Sequence, residues 1–286
     1  MFNFDMEISS KFYEVNGIRL HAAVAGPPEG KIILFLHGFP EFSLGWKKQI
    51  EYFSAKGFRV IAPDQRGYNL SSKPKGVKAY LNETLVADIV ELIKQISTPK
   101  IILVGHDWGG GIAWEVAGQH PELVEKLIIL NMPHLKVMND TLKSNPKQLL
   151  RSWYFGFFQI PRLPEWLLSM FNFKLLGKSM VKTAHKNTFS RHDLSQYKTA
   201  WQNPATVATM INWYRAYKYS KPALKRISVP TLILWGEKDK FLLPAMAEKS
   251  NLLCAKGKLI MLEDATHWLH HEKATKVNQL IFNFIS

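Results

Sequence analysis

The chain has 286 residues, 47% of them hydrophobic, and 37 Lys plus Arg against 23 Asp plus Glu give a net charge of +14. That length and apolar content suit one large α/β domain, with or without an inserted subdomain, and exclude general disorder. No run reaches the roughly 18–20 apolar residues of a membrane-spanning helix, the first ten residues lack the basic start and apolar run of a secretory signal, and Cys254 alone cannot form an internal disulfide, so a cytoplasmic protein is expected.

In chain order, residues 13–25 read as an antiparallel hairpin turned at Asn16-Gly17. Short runs rich in Ile, Leu and Val at 31–37, 58–63, 100–106, 126–130, 229–235 and 258–262 read as buried strands. Apolar residues at three- and four-residue spacing predict helices over 81–96, 110–119, 244–253 and 272–284. This alternation is that of a mostly parallel sheet covered by helices. Between 134 and 222 the buried strands disappear and Trp- and Phe-rich helical pieces replace them. That segment holds 14 basic and 3 acidic residues, a charge of +11, whereas the rest holds 23 and 20, only +3. The expected organisation is a core of 1–133 and 223–286 with a helical cap at 134–222. No zinc spacing, helix-turn-helix pattern or aromatic RNA-binding signature accompanies the basic residues, so no nucleic-acid partner is expected.

The run from Lys100 to Ala117 takes a buried strand into Gly105-His106-Asp107-Trp108-Gly109 and then a helix. A strand-to-helix turn this tight needs glycine two residues before and after its centre, and it pushes the central side chain outward as a nucleophile. The competing view is an Asp that caps a helix after an ordinary glycine turn. An acid and a histidine should follow in loops after later strands. Asp239 and His267 are the candidates. Glu237 and Asp264 compete for the first role, and His270 and His271, at the start of the final helical pattern, compete for the second. After the strand at 31–37, the Phe39 amide can pair with the Trp108 amide as an oxyanion hole. His37 reads as structural, and 64–68 as a buried ion-paired turn.

Together HGFPE, DQRGY, GHDWGG, GEKD and ATHW, at residues 37–41, 64–68, 105–110, 236–239 and 265–268, resemble the α/β-hydrolase superfamily over nearly the whole chain. GHDWGG resembles the branch that contains epoxide hydrolases and haloalkane dehalogenases. A carboxylate nucleophile suits attack on saturated carbon because it leaves an ester that water, activated by His267, can cleave, whereas serine would leave an ether. Within the cap, Tyr154 and Tyr214 match the two lid tyrosines of epoxide hydrolases. A phenol with pKa about 10 stays protonated at neutral pH and can donate to an opening epoxide oxygen. Asn69 departs from the pattern, standing where glycine is frequent.

The resemblance implies an α/β-hydrolase fold with an eight-stranded, mostly parallel sheet, and an epoxide hydrolase with catalytic Asp107, Asp239, His267, Tyr154 and Tyr214. The alternatives are a haloalkane dehalogenase, for which Trp108 resembles one halide ligand, and a non-catalytic small-ligand receptor, for which the full set of Asp107, Asp239 and His267 has no use. Its expected partners are a small-molecule epoxide and water, with an anionic substrate suggested by the basic cap. No metal-ligand cluster or nucleotide loop is apparent, so no metal or organic cofactor is expected.

Overall fold

A computed structural model describes residues 7–97, 99–223 and 225–286. The first six residues, part of the segment on which the expectation of no secretory signal rests, lie outside the described residues. Among the described residues eight strands form one sheet: β1 (Ser9–Val15), β2 (Ile18–Ala25), β3 (Ile32–Leu36), β4 (Arg59–Pro63), β5 (Ile101–His106), β6 (Val124–Leu130), β7 (Thr231–Gly236) and β8 (Gly257–Leu262). Their spatial order is β1-β2-β4-β3-β5-β6-β7-β8, with β1–β2 and β2–β4 antiparallel and the remaining pairs parallel.

Side chains of the central strands alternate between two apolar clusters. Ile33 and Phe35 of β3, Ile102 and Val104 of β5, and Leu232 and Leu234 of β7 share one cluster. Leu34, Leu103 and Ile233 point into the other. A strand buried on both faces has no polar alternation, which is why these segments read as continuous apolar runs. Each fully buried branched side chain contributes about 1.5–3 kcal/mol relative to exposure.

The helices are α1 (Lys47–Ala55), α2 (Asn82–Ile96), α3 (Trp108–Gln119), α4 (Leu135–Ser144), α5 (Pro146–Arg151), α6 (Trp153–Phe157), α7 (Leu163–Thr183), α8 (Arg191–Gln202), α9 (Thr206–Tyr217), α10 (Ala245–Asn251), α11 (Leu269–Glu272) and α12 (Ala274–Ile285). Every named element between β6 and β7 is helical, from α4 to α9. This insert docks on the core through side chains that donate into core carbonyls: Trp201 to Pro40 O (2.7 Å), Thr209 to Gly67 O (2.5 Å) and Trp213 to Arg66 O (3.0 Å). α7 is two helical pieces joined by left-handed backbone at Phe171, Asn172 and Phe173.

Several expectations need adjustment. β1 begins at Ser9 and not at Tyr13, because it is an exposed edge strand whose outer residues carry no apolar alternation. β8 is also an edge strand and is only partly buried. The 64–68 turn is ion-paired, but Arg66 reaches outside it to Asp88 of α2, with two contacts of 2.6 Å. Asn69 takes a φ of 37° where glycine is common, and its side chain donates to Asp64 Oδ2 at 2.8 Å.

Candidate active site

The chemistry-bearing residues collect beyond the carboxyl ends of the parallel strands, where open α/β sheets bind ligands. Asp107 follows β5 directly and starts α3 with φ 49° and ψ −127°. For a residue with a Cβ such backbone costs about 1–3 kcal/mol and persists only when its surroundings impose it. Here they do. A Cβ on Gly105 would lie 2.5 Å from Gly109 O, and one on Gly109 would lie 2.2 Å from Leu36 O, so the turn closes only with glycine at both places.

The turn aims Asp107 at two different neighbours. Its Oδ1 accepts the Phe39 N–H at 2.8 Å, and its Oδ2 lies 3.5 Å from His267 Nε2. One oxygen is thus held and the other faces the histidine. The Trp108 amide opens α3 beside the carboxylate, while the Trp108 ring packs edge-on against Tyr214 at 5.0 Å. Burial opposes the Asp107 charge, but His267 and the Phe39 amide hold the carboxyl below its ordinary value.

His267 sits in the loop after β8, with Nδ1 2.7 Å from Asp239 Oδ2. Asp239 is buried, and its Oδ1 accepts the amides of Phe241 (2.7 Å) and Leu242 (3.1 Å). Its Oδ2 also accepts from the Asn131 amide at 2.6 Å. Glu237 is exposed, and exposed Asp264 pairs with Lys238 at 3.0 Å, so neither faces the histidine. Although burial works against an imidazolium, Asp239 and Asp107 push the His267 pKa up to about 10.

Tyr154 of α6 and Tyr214 of α9 line the same cleft as Asp107, Trp108, Met138 and Leu242. Their rings are 5.8 Å apart, nearly perpendicular. Burial first, and then the charge of Asp107, push both phenols well above their ordinary value, so both hold their protons at neutral pH. Arg215, next to Tyr214, donates to the carbonyls of Phe158 and Ile160 at 2.8 Å each and pairs with Glu165, which ties α9 to the end of α6. Trp153 faces solvent at 67% exposure and is not part of the cleft wall.

One supporting residue lies outside the motifs. Asn131 takes φ 39° after β6, accepts the Gly236 amide at 2.8 Å and donates to Asp239, so it braces the acid. An Asn directly after a central strand, a residue type that tolerates positive φ, was the available signal. His37 is structural as expected: its Nε2 accepts the Gln65 amide at 3.0 Å. His270 and His271, the competitors of His267, lie away from Asp239. Both turn Nε2 onto buried Glu41, at 3.1 and 2.6 Å.

The family model for the alpha/beta hydrolase fold matches residues 31–274, and the chain belongs to that family. Within it, the chain is similar to epoxide hydrolases. It is 37% identical over 280 residues to human epoxide hydrolase 4, covering 94% of this chain and 76% of that protein. It is 44% identical to the AB hydrolase superfamily protein YfhM of Bacillus subtilis, covering 97% of this chain and 98% of the relative. The crystal structure of the Bacillus megaterium epoxide hydrolase in complex with an inhibitor superposes with a TM-score of 0.87 at 34% identity, covering 96% and 99% of the two chains. Among the described residues no helix is long and apolar enough to cross a membrane.

Proposed function

We propose that this chain is an epoxide hydrolase, opening epoxides to vicinal diols through a covalent ester on Asp107, with 134–222 acting as the cap over the site. The observation that carries this is one cleft in which a carboxylate on a strained turn shares an apolar wall with two protonated phenols, while a His–Asp pair stands behind it. Asp107 Oδ2 attacks an epoxide carbon, the C–O bond breaks, and Tyr154 or Tyr214 gives its proton to the leaving alkoxide. Esterification removes the Asp107 charge, one of the two that hold the His267 proton, so His267 can return that proton to the tyrosinate and become a base. Water then loses a proton to His267 and adds to the ester carbon. The amides of Phe39 and Trp108 stabilise the oxyanion, the diol leaves as His267 gives its alkoxide the proton, and the carboxylic acid left on Asp107 passes its own proton to His267, restoring the starting pair. Both steps are complete with these side chains and water.

The tyrosines provide the test of substrate class. Replacing Tyr154 and Tyr214 together by Phe is expected to lower epoxide turnover by about 10²–10³-fold or more, since removal of one donor to developing oxyanion charge is commonly worth that much. Steady-state diol formation measures it. Unchanged epoxide turnover would contradict the assignment, and halide release from haloalkanes without any epoxide turnover would favour a haloalkane dehalogenase.

An anionic substrate is a finer part of the proposal, supported by the exposed Lys174, Lys178, Lys182, Lys186 and Arg191 of the insert. Steering between exposed charges is screened over about 8 Å at physiological ionic strength. Added salt is therefore expected to lower kcat/KM for an epoxy fatty acid and leave that for styrene oxide nearly unchanged. Equal salt dependence would remove the steering role. Cytoplasmic residence belongs to the same proposal and rests on the lone, buried Cys254. Recovery of the protein from an exported fraction would contradict it.

A further inference from the structure

Beneath His267, three other imidazoles and one carboxylate converge in the protein interior. The His106 ring lies 4.6 Å from that of His267 and 4.4 Å from that of His270, and the His270 ring lies 4.2 Å from that of His271. Glu41, only 1% exposed, is at the centre. Its Oε1 accepts the Tyr197 hydroxyl at 2.6 Å and faces His271 Nε2 at 2.6 Å. Its Oε2 faces His270 Nε2 at 3.1 Å and His106 Nδ1 at 3.4 Å. The ligand atoms of Glu41, His270 and His271 all lie within 4.8 Å of one another.

His106 Nε2 is 2.9 Å from the His267 carbonyl oxygen, which can only accept, so Nε2 carries the hydrogen. His106 Nδ1 faces the Glu41 carboxylate at 3.4 Å. That nitrogen and His270 Nδ1 are buried without a hydrogen-bond partner among the described residues. Buried polar atoms left unpaired are destabilising, so the cluster holds coordinating capacity that its own hydrogen bonds do not use.

We propose that Glu41, His270 and His271 form a binding site for one divalent transition-metal ion of the zinc class, with water completing its coordination. Two imidazoles with one carboxylate are a donor set that zinc and its neighbours take, whereas calcium and magnesium require oxygen. Zinc bonds of 2.0–2.2 Å in a tetrahedron place ligand atoms about 3.3–3.5 Å apart. The Glu41 to His271 and His270 gaps of 2.6 and 3.1 Å therefore need to open by less than about 1 Å, and each imidazole hydrogen now given to Glu41 moves to Nδ1 so that the neutral ring offers Nε2 to the ion. A path exists, because the His271 side chain is 11% exposed and borders a surface cleft shared with Lys48 and Asp193. The Lys48 ammonium opposes a cation there, but it is held 2.8 Å from the His271 carbonyl, and Asp193 offsets its charge. Nothing in the proposed epoxide chemistry requires the ion.

Titration of the full chain with zinc chloride in a calorimeter, in a buffer that does not chelate, tests the site. One ion per chain is expected in the wild type and in His267→Gln, and binding weakened by about tenfold or more in His271→Gln and Glu41→Gln. His271 is partly exposed, so its variant should fold, and circular dichroism checks that it does. Visible absorption of the cobalt-substituted wild type should show tetrahedral nitrogen and oxygen ligation, absent from His271→Gln. A wild type that binds no zinc would overturn the proposal. So would binding lost in His267→Gln and kept in folded His271→Gln, since that places the ion on Asp107 and His267.

Discussion

Asp107→Ala is expected to lose about 10⁴-fold or more in kcat/KM and to remain folded. The loss is large because the attacking atom itself is removed, and in a set of residues that acts as a unit the removal of the nucleophile costs nearly as much as removal of the whole set. Stability should not suffer comparably. Asp107 holds positive-φ backbone, which alanine tolerates no better, but its carboxylate is desolvated and its removal leaves only the Phe39 amide and His267 without that partner. Diol formation by the purified variant, with circular dichroism to verify folding, provides the check. Normal turnover by a folded Asp107→Ala protein would end the proposed chemistry.

His267→Gln should fail at the second step instead. Alkylation of Asp107 needs no base, whereas ester hydrolysis does, and a general base is worth about 10²–10⁴-fold. The alkyl-enzyme should accumulate, seen as an intact-mass increase equal to one substrate. The sign of a pH effect follows from the same contact. At Asp107 burial raises the carboxyl pKa and His267 is the chief group that lowers it, so without His267 the pKa must rise. Because the ionised form attacks, alkylation in the variant should require a higher pH than in the wild type. Substrate consumption with no mass increase at any pH would contradict the assigned role.

Asp107, Asp239 and His267 were legible as candidates because each follows an apolar strand, and a strand buried on both faces is the feature that a sequence displays most plainly. The loops after β5, β7 and β8 could then be read in order. Choosing among neighbours was harder. Glu237 and Asp239 are two residues apart, and only the fold shows the first in solvent and the second under His267. Helix α1 was not found because its inward face carries Gln49, buried through bonds to the His270 carbonyl and to Asn278, which breaks the apolar period. The Glu41 cluster was invisible for a related reason: its members are 229 and 230 residues apart, and no local spacing announces a convergence made by tertiary structure. Trp153, one of the aromatic residues of the insert, is exposed, and composition alone does not separate it from Tyr154 beside it, which lines the cleft.

The covalent ester on Asp107 is the central claim, and one turnover in heavy-oxygen water, with enzyme in excess over an epoxide, addresses it most directly. If Asp107 attacks, the oxygen that enters the first diol comes from the carboxylate, and the solvent oxygen remains on the protein. Heavy oxygen should then appear in the peptide that carries Asp107, and the diol should be unlabelled. Label in the diol with none in that peptide would mean that water attacks the epoxide directly, and the ester mechanism would be wrong.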